Sequence, residues 1–449
     1  MNIDVIILAA GKGTRMGSSL PKPLHPLLGK PLIEYILAAV EPLNSKPPII
    51  VIGHGGQKIQ EKLGDRALFV VQEELLGTGH AVQQAEKSLK ANSGLVLVVY
   101  GDMPLMRSQT LERLVKTQQD HSGPLTILTF FEEDPRGFGR IARDGSGKVQ
   151  AIVEEADASP EQLEIKELNA GIYCFRAEWL WQSLKKLELS PKGEYYLTDL
   201  VKLAVGEGQA VAAVQAEDSR ELLGINNRIH LAEASQILRD QINRDWMLSG
   251  VSMIDPQSTY IDPDVQIGQD TVLLPNTYLQ GETIIGKNCL IGPGTRIYNC
   301  QIGDSCEIEF SVLEESRLED HVDIGPFSHL RRGAHLASGV HVGNFGEIKD
   351  SYLGEGSKMG HFSYVGNARI GKDVNIGAGT ITCNYDGEKK HQTTIHDGVF
   401  IGSDSMLIAP VEIGENASTG AGSVVTKDVP PDTVVVGVPA RQISKKKKK

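Results

Sequence analysis

The sequence predicts an α/β Rossmann-like domain, a long linking helix, and then a left-handed parallel β-helix of hexapeptide repeats. In the first half, short apolar runs rich in β-branched residues alternate with helix-length segments. A segment without glycine or proline follows, and a six-residue period fills the second half. We expect these parts to occupy residues 1–226, 227–250 and 251–449.

The first half contains five runs that we predict to be buried strands: Val5–Ala10, Ile49–Ile52, Phe69–Val71, Leu95–Tyr100 and Leu125–Phe130. Between them lie three segments that we predict to be helical: Pro31–Val40, Gly79–Ala91 and Ser108–Gln119. This alternation predicts a parallel sheet covered on both faces, in which ligands bind beyond the carboxyl ends of the strands. The linking helix is predicted over Asn226–Leu248. Such a helix is long, because each residue of an α-helix adds about 1.5 Å to its length.

In the second half, an aliphatic residue followed by glycine, two variable residues and a small residue recurs. The copies are IGQDTV (267–272), IGKNCL (285–290), IGPGTR (291–296), IGDSCE (302–307), IGPFSH (324–329), LGEGSK (353–358), IGKDVN (370–375), IGAGT (376–380), IGSDSM (401–406) and IGENAS (413–418). Period six predicts a triangular parallel β-helix, with the aliphatic residue inside and the small residue at a crowded corner. Because a solenoid has long exposed sides, a closed homotrimer is the expected assembly.

Composition narrows the class of protein. The net charge is −12, and the body is more acidic still without the Lys445–Lys449 run, which argues against a nucleic-acid surface. We expect that run to be a solvated tail. No basic stretch precedes the first apolar run and no apolar stretch reaches ~20 residues, so neither a signal peptide nor a membrane segment is expected. Five cysteines without a CxxC pair predict reduced thiols and a cytoplasmic location.

A first chemical site is indicated by the glycine-rich LAAGKGTRMG (8–17), which directly follows the first strand. Such a loop brings backbone N–H groups to phosphate oxygens, although it matches neither the P-loop nor the dinucleotide fingerprint. Arg15 and Lys22 would supply cations. Asp102 follows the strand Leu95–Tyr100 and suits Mg²⁺ beside a triphosphate, although a turn or helix cap also explains a lone aspartate there.

A second site is indicated by a dense polar block in the β-helix: HLRRG (329–333), GNFGEIKDS (343–351), GHFSYVG (360–366), VNIGAGTITCNYDG (374–387) and FIGSDS (400–405). Arg331 and Lys349 suit a phosphate, and His361 suits a general base. The insertion 382–394 interrupts the period and predicts a loop. A zinc site built from His329, His335, His341 and His361 is the alternative.

The motifs LAAGKGTRM, LPKPLH, QEELLGTGHA, YGDMPL, GFGRI, IVEEADA, LNAGIY, GEYYLTD and GINNR resemble, in this order, the landmarks of sugar-nucleotide pyrophosphorylases. With the repeats added, the whole chain is similar to the family of bifunctional enzymes that join N-acetylglucosamine-1-phosphate uridyltransferase to glucosamine-1-phosphate acetyltransferase. The resemblance implies synthesis of UDP-N-acetylglucosamine, a cell-wall precursor. Its implied substrates are UTP, glucosamine-1-phosphate, N-acetylglucosamine-1-phosphate and acetyl-CoA, with Mg²⁺ as cofactor.

The resemblance also implies roles for individual residues of the first half. The nucleotide pocket comprises Leu8, Ala9, Ala10 and Gly11, with Arg15 and Lys22 at the phosphates. The uracil is addressed by Gln72, Gly77 and Thr78. Ribose, phosphate and metal are held by Tyr100, Gly101 and Asp102, and Asn226 joins Asp102 on Mg²⁺. The N-acetyl sugar is held by Gly139, Glu154 and Asn169.

In the second half, the resemblance gives Arg331 and Lys349 to the sugar phosphate, Tyr364 and Asn375 to the sugar, and His361 to catalysis. The coenzyme side comprises Ala378, Asn384, Tyr385, Ser403 and Ala421, at a subunit boundary. Arg441 follows the proline of GVPARQ (437–442), whereas some relatives carry the coenzyme-contacting arginine before it, where this chain has Gly437.

Two alternatives remain at this point. The chain could be another nucleotidyltransferase, specific for glucose-1-phosphate or mannose-1-phosphate. The β-helix could instead be a non-catalytic scaffold that trimerises the first domain.

Overall fold

The computed structural model describes residues 2–43, 46–53, 55–89 and 94–445. It divides into two compact units, Met1–Leu238 and Arg239–Lys449, and the division falls inside a single helix, Arg228–Leu248. Lys446–Lys449 of the predicted tail lie outside the described residues, as does the end of the segment predicted to be helical as far as Ala91.

The first unit is built on a nine-stranded sheet. The strands are β1 (Ile3–Ala9), β2 (Ile49–Ile52), β3 (Leu68–Val71), β4 (Leu95–Tyr100), β5 (Leu125–Phe131), β6 (Arg140–Arg143), β7 (Val149–Val153), β8 (Glu167–Arg176) and β9 (Ala212–Gln215). The main order is β9-β5-β8-β4-β1-β2-β3, with β6 paired to both β7 and β8. The pairs β4-β1, β1-β2, β2-β3 and β9-β5 are parallel. The five predicted strands are therefore confirmed, within one residue at most ends.

Strand β8 was not predicted, and it changes the character of the sheet. It runs antiparallel to both β4 and β5, so the sheet is mixed rather than wholly parallel. All but the last of its residues are buried, yet asparagine and glycine interrupt its apolar pattern. Its register against β5 shifts between Asn169 and Tyr173, where Gly171 adopts a left-handed φ of 77°. This irregularity lies at the candidate site described below.

Eight helices accompany these strands in the described part of the chain: α1 (Leu32–Val40), α2 (Gln57–Leu63), α3 (Thr78–Gln84), α4 (Ser108–Asp120), α5 (Pro160–Leu163), α6 (Ala177–Leu184), α7 (Asp199–Gly206) and α8 (Arg228–Leu248). Helices α1 and α4 share a buried cluster with Val5 and Ile7, whereas α3, α6 and α7 share one with Ile6 and Leu8. Because consecutive residues of a strand face opposite ways, these two clusters cover opposite faces of the sheet, as predicted.

Two predicted helices begin or end differently from the prediction. Helix α3 gives way to a 3-10 turn over Glu86–Ser88. Helix α8 begins at Arg228 rather than at Asn226, because the Asn227 side chain accepts a hydrogen bond from the His230 amide at 2.9 Å. Asparagine in this capping position satisfies an amide that has no partner within the helix.

The second unit is a three-sided coil of short parallel strands. Face 1 comprises Ser252–Met253, Val272–Leu273, Leu290–Ile291, Glu307–Ile308, Asp323–Ile324, His341–Val342, Lys358–Met359, Asn375–Ile376, Phe400–Ile401, Ser418–Thr419, Thr433–Val436 and Arg441–Lys445. Face 2 comprises Thr259–Ile261, Thr277–Gln280, Arg296–Tyr298, Val312–Glu314, His329–Leu330, Gly346–Lys349, Ser363–Gly366, Ile381–Cys383, Met406–Ile408 and Val424–Val425. Face 3 comprises Gln266–Ile267, Ile284–Ile285, Gln301–Ile302, Arg317–Leu318, His335–Leu336, Tyr352–Leu353, Ala368–Ile370, Thr393–Ile395 and Val411–Ile413.

As far as Met406–Ile408, each strand pairs with the strand three places further along, so one coil uses one strand from each face. The aliphatic residues of the repeats form one continuous buried cluster along the coil axis. Small residues such as Thr271 and Thr295 are fully buried beside them. This arrangement confirms the β-helix predicted from period six. The last strand, Arg441–Lys445, differs because it turns back antiparallel onto Thr433–Val436.

Candidate functional sites

The first unit contains a cavity of about 630 Å³ at the carboxyl ends of β1 and β4. All sixteen residues predicted for this unit line it: Leu8, Ala9, Ala10, Gly11, Arg15, Lys22, Gln72, Gly77, Thr78, Tyr100, Gly101, Asp102, Gly139, Glu154, Asn169 and Asn226. They come from segments more than two hundred residues apart in sequence. The sheet therefore assembles one site where the sequence offered separate motifs.

The glycine-rich loop leaves β1 and turns back over a short 3-10 turn, Thr14–Met16. Gly13 before this turn has a φ of 61°, and a Cβ on it would lie 3.0 Å from the Cβ of Lys22. Glycine is therefore needed both for the left-handed backbone and for close approach to the lysine. The loop and Lys22 are held together at one end of the cavity.

Cations and predicted metal ligands meet at this end. The ammonium of Lys22 contacts Oδ2 of Asp102 and lies 3.4 Å from Oδ1 of Asn226. Arg15 donates to the same Asn226 oxygen at 3.0 Å. The Ile225 amide donates to the Asp102 carbonyl at 2.9 Å, which brings the segment of Asn226 alongside Asp102. The two predicted metal ligands, Asp102 and Asn226, therefore both lie beside the Lys22 ammonium, at a position that already holds a positive charge.

The donor chemistry of this position fits Mg²⁺. Asp102 offers a carboxylate and Asn226 an amide oxygen, which are hard ligands of the kind Mg²⁺ takes together with phosphate oxygens and water. Within the described residues, no cluster of three or more histidine, cysteine, aspartate or glutamate side chains forms a metal site. Mg²⁺ would thus depend on further oxygens from a bound nucleotide.

Another part of the cavity is shaped by the GTG turn before α3. The Gln72 amide, almost fully buried, donates to the Gly77 carbonyl at 3.1 Å. Gly77 has a φ of 95°, and a Cβ there would lie 2.7 Å from the Tyr195 carbonyl oxygen. The Leu197 amide donates to the Thr78 hydroxyl at 3.1 Å. These contacts fix backbone edges in the region assigned to the uracil.

Several polar side chains lie together at the start of β8 and at the end of β7. Asn169 donates from its Nδ2 to the Tyr173 hydroxyl at 2.8 Å, and its Oδ1 accepts from the Gly171 amide at 3.1 Å. Burial raises the pKa of the Glu154 carboxyl and also that of the Tyr100 hydroxyl, to which the nearby Asp102 charge adds. Neutral tyrosines and a partly desolvated carboxylate suit recognition of the hydroxyl and amide groups of a sugar.

The cavity is also lined by residues that the sequence did not single out. They include Gly171, Tyr173, Glu194, Tyr196 and Thr198. The motifs LNAGIY and GEYYLTD contain all five, so the signal was present, but it did not say which side chain would face the cavity.

In the second unit, the predicted phosphate ligands occupy face 2 in successive coils. Arg331 follows the strand His329–Leu330, and its Nη1 donates to Glu347 at 2.7 Å. Lys349 ends the next strand, and Tyr364 pairs with Glu347 one coil further on. The neighbouring Lys390 ammonium lowers the pKa of Lys349, and Arg331 adds to this effect. Cationic side chains therefore crowd together there.

Lys390 was not predicted as a site residue. It belongs to the insertion 382–394, which the structure shows as a loop between the strands Ile381–Cys383 and Thr393–Ile395. The backbone of Lys390 bridges to Tyr385, and the Tyr385 hydroxyl donates to the Gly387 carbonyl at 2.6 Å. Because the insertion does not follow the six-residue repeat, the sequence contained no indication that Lys390 would lie near Lys349.

His361 is exposed at the corner between faces 1 and 2, next to Phe362. Backbone hydrogen bonds stack the same corner in the following coils, from Gly379 N to Phe362 O at 2.7 Å, then Asp404 N to Ala378 O at 2.6 Å, then Gly422 N to Ser403 O at 2.8 Å. The predicted coenzyme residues Ala378, Ser403 and Ala421 therefore lie in one column with His361.

The remaining predicted residues of this unit are more scattered. Asn375 begins a strand of face 1. The buried Asn384 donates from Nδ2 to Asn367 at 2.7 Å, at the far end of face 2. Arg441 is exposed in the terminal strand, with its Nη1 on the Ala440 carbonyl at 3.0 Å. No described contact connects Arg441 with the column of His361.

The structure argues against the zinc alternative. His329, His335 and His341 lie in one coil but on faces 2, 3 and 1 respectively. Each is paired with a carboxylate of the preceding coil: His329 with Glu314 at 3.4 Å, His335 with Glu319 at 2.9 Å, and His341 with Asp323. Within one copy of the chain, side chains on three different faces of a triangular coil lie apart, and the described residues contain no group of three or more histidine, cysteine, aspartate or glutamate side chains that could hold a metal ion.

Comparison with known proteins identifies a protein family for each half of the chain. Residues 4–247 match the Nucleotidyl transferase family, and residues 264–299 and 392–427 match the Bacterial transferase hexapeptide (six repeats) family. The fold and the cavity thus define a nucleotidyl transferase joined to a hexapeptide-repeat transferase. Within the described residues, none of the helices combines the length and apolarity that a membrane crossing needs.

The whole chain also has close relatives. It is 48% identical to the Bifunctional protein GlmU of Heliobacterium modesticaldum, over 96% of this chain and 94% of the relative. It is 48% identical to that of Pelobacter propionicus, over 97% and 95% respectively, and 46% identical to one from Listeria monocytogenes, over 96% and 94%. The chain belongs to the GlmU family of bifunctional enzymes of UDP-N-acetylglucosamine biosynthesis, which confirms the predicted two-headed transferase.

Proposed function

We propose that this chain makes UDP-N-acetylglucosamine in two steps, each assigned to one unit. The second unit transfers an acetyl group from acetyl-CoA to glucosamine-1-phosphate. The first unit then transfers a uridylyl group from UTP to the N-acetylglucosamine-1-phosphate so formed. The observation that carries this proposal is the convergence of all sixteen predicted nucleotide and sugar residues on one cavity, in a chain that also carries the His361 column.

For the first unit, we propose in-line attack of the sugar phosphate oxygen on the α-phosphorus of UTP, with pyrophosphate leaving. Such a reaction needs alignment and charge neutralisation more than a covalent catalyst. Backbone N–H groups of the loop that begins at Ala10 would hold phosphate oxygens, and Arg15 and Lys22 would neutralise the charge that builds on the leaving group. Glu154 and Asn169 would align the acceptor sugar.

Asp102 and Asn226 would hold Mg²⁺, which supplies charge neutralisation to the phosphates when it is bound. The contact of Lys22 with both of these residues supports a site where positive charge is required. In the nucleotide complex, Lys22 would turn from Asp102 to a phosphate oxygen.

For the second unit, we propose that the 2-amine of glucosamine-1-phosphate attacks the thioester carbonyl of acetyl-CoA. His361 takes the proton that the amine loses and returns it to the departing thiolate, so that coenzyme A leaves as a thiol. An exposed imidazole at a corner suits this role because a ring nitrogen of neutral histidine can accept a proton from the amine. Arg331 and Lys349 would hold the phosphate, Tyr364 and Asn375 the sugar, and Ala378, Asn384, Tyr385, Ser403, Ala421 and Arg441 the coenzyme.

We further propose that the active form is a cytoplasmic homotrimer. Phe310, Phe327, Phe345 and Phe362 form an exposed ladder along the corner that carries His361, with ring centroids 5.6 Å apart for the first pair and 5.5 Å for the second. Exposed apolar surface of this kind marks interaction sites. Contact with a second copy along this phenylalanine ladder would place a subunit boundary beside His361. All five cysteines are free thiols, which supports a reducing compartment.

Two variants test the division of labour. The full chain is supplied with glucosamine-1-phosphate, acetyl-CoA, UTP and Mg²⁺, and coenzyme A thiol and pyrophosphate are measured together. We expect Asp102→Ala to abolish pyrophosphate release and spare thiol release, and His361→Ala to do the reverse when N-acetylglucosamine-1-phosphate is supplied directly. Pyrophosphate release at the native rate by Asp102→Ala would refute the first assignment. Absence of thiol release from the unmodified chain would make the β-helix a scaffold.

A further inference from the structure

Helix α7 is preceded by a threonine whose side chain does not cap the helix. Thr198 occupies the capping position before Asp199 and is almost fully buried. Threonine in such a position ordinarily accepts a hydrogen bond from an amide of the first turn, but Thr198 makes no such bond. Its hydroxyl instead donates to Oε1 of Glu154 at 3.0 Å, across 44 residues of sequence.

Glu154 lies where the cavity receives the sugar in the proposed function. A Cβ on Gly139 would lie 3.8 Å from the Cδ of Glu154, so the carboxyl group sits beside another residue assigned to the sugar. Both Glu154 and Thr198 line the cavity. In the described part of the chain, the bond from Thr198 is the hydrogen bond that restrains this carboxyl group.

We propose that Thr198 is a positioning residue that fixes the Glu154 carboxylate to accept a hydroxyl of an N-acetylhexosamine 1-phosphate. The inference rests on the proposed function of the first unit and adds a specificity element to it. A carboxylate has two oxygens, and with Oε1 occupied by Thr198, the other oxygen can accept from the sugar in one orientation only. A partly buried carboxylate held this way loses little freedom when substrate binds, which favours affinity.

The same bond opposes protonation of the carboxylate. Burial raises the pKa of Glu154, and the neighbouring Asp199 and Asp157 charges raise it further, whereas the Thr198 hydroxyl and the Lys192 charge lower it. Removal of the hydroxyl therefore raises the pKa of Glu154 again. Because only the ionised form leaves both oxygens able to accept, one from Thr198 and the other from the sugar hydroxyl, the acid limb of kcat/KM for the sugar phosphate must move to higher pH when the hydroxyl is removed.

The other titratable and charged groups around Glu154 do not account for the expected shift of the acid limb. Burial raises the pKa of both Tyr100 and Tyr173 well above the ordinary range for tyrosine, so both remain neutral through the acid limb. Asp157, Lys192 and Asp199 remain in every variant. A displacement of the limb on removal of the hydroxyl is therefore assigned to Glu154.

The chain offers a matched control in the same unit. Thr110 donates from its hydroxyl to Oε1 of Glu221 at 2.9 Å, and burial raises the pKa of Glu221 as it does that of Glu154. Neither Thr110 nor Glu221 lines the cavity. Thr110→Val thus removes the same kind of bond at a place with no access to substrate.

The experiment measures uridylyl transfer by the full chain with N-acetylglucosamine-1-phosphate and UTP, each varied in turn between pH 5 and pH 9. We expect Thr198→Val and Thr198→Ala to raise KM for the sugar phosphate about tenfold, as expected for one weakened hydrogen bond to a charged group. The KM for UTP should stay within about twofold, and the acid limb should move up. Thr198→Ser, which keeps the hydroxyl, should restore both values, and Thr110→Val should change neither.

Each outcome bears on the inference. If both hydroxyl-free variants keep the KM and the acid limb of the unmodified chain, Thr198 does not position Glu154. Thr198→Val could unfold the first unit, which would appear as lost pyrophosphate release with normal acetyl transfer. In that case Thr198→Ala alone tests the role of Thr198, since alanine adds no group that is larger than the hydroxyl it removes. Equal losses in Thr198→Ser and Thr198→Val would also overturn the inference. Failure of the proposed function itself would appear differently, as an unmodified chain that releases no pyrophosphate.

Discussion

Gly171→Ala tests whether the shape of the sugar end of the cavity depends on the irregularity in β8. Gly171 has a φ of 77°, and a Cβ on it would lie 2.7 Å from Cε2 of Tyr100. Because carbon atoms pack at roughly 3.5–4.0 Å, the Tyr100 ring would have to shift by about 1 Å. A displacement of that size in a site that works by alignment costs about 100-fold in rate. The left-handed backbone adds roughly 1–2 kcal/mol of destabilisation.

The assay is pyrophosphate release from UTP and N-acetylglucosamine-1-phosphate, with coenzyme A release by the second unit as an internal standard. Gly147→Ala is the matched control, because Gly147 has a φ of 82° in the hairpin between β6 and β7 and no atom within 4 Å of its Cβ position. Both variants should lose similar stability, but only Gly171→Ala should lose uridylyl transfer. Native turnover in a folded Gly171→Ala variant would show that the ring position is not important for the reaction.

Three further results are expected. Lys22→Met should raise the affinity of the nucleotide-free chain for Mn²⁺ several-fold, measured by electron paramagnetic resonance, because the ammonium occupies the cation position; unchanged affinity would place the metal elsewhere. If the proposed homotrimer forms through the phenylalanine ladder, replacement of Phe327 and Phe345 by serine should convert it into smaller species in light scattering, whereas serine at the exposed Phe131 of the first unit should not. Leu353→Ala, in the buried axis of the coil, should lower the unfolding free energy of the second unit by about 2–5 kcal/mol in urea titrations, with uridylyl transfer by the folded chain unchanged.

The fold was predictable where local pattern and final environment agree. Strands β1 and β4 are buried on both faces, so Val5–Ala9 and Leu95–Val99 within them are continuous apolar runs. The β-helix was predictable because each coil repeats the same environment and therefore the same residue types. Strand β8 was not, because Asn169 and Gly171 interrupt its pattern. The structure uses these same residues, one for its hydrogen bonds and one for its left-handed backbone, to shape the cavity.

The site residues divide in the same way. Lys22 and Asp102 stand in motifs that the sequence singles out as candidates for phosphate and metal binding, whereas Thr198 has the local sequence of an ordinary helix cap and Lys390 that of an ordinary exposed loop. Thr198 and Lys390 each interact with a residue that is distant in sequence: Thr198 with Glu154, and Lys390 with Lys349. A hydroxyl can cap a helix or orient a carboxylate, and only the path of the chain between residues 154 and 198 selects the second use. Positioning residues are therefore the class that a single sequence conceals most, since their chemistry belongs to a pair and not to a motif.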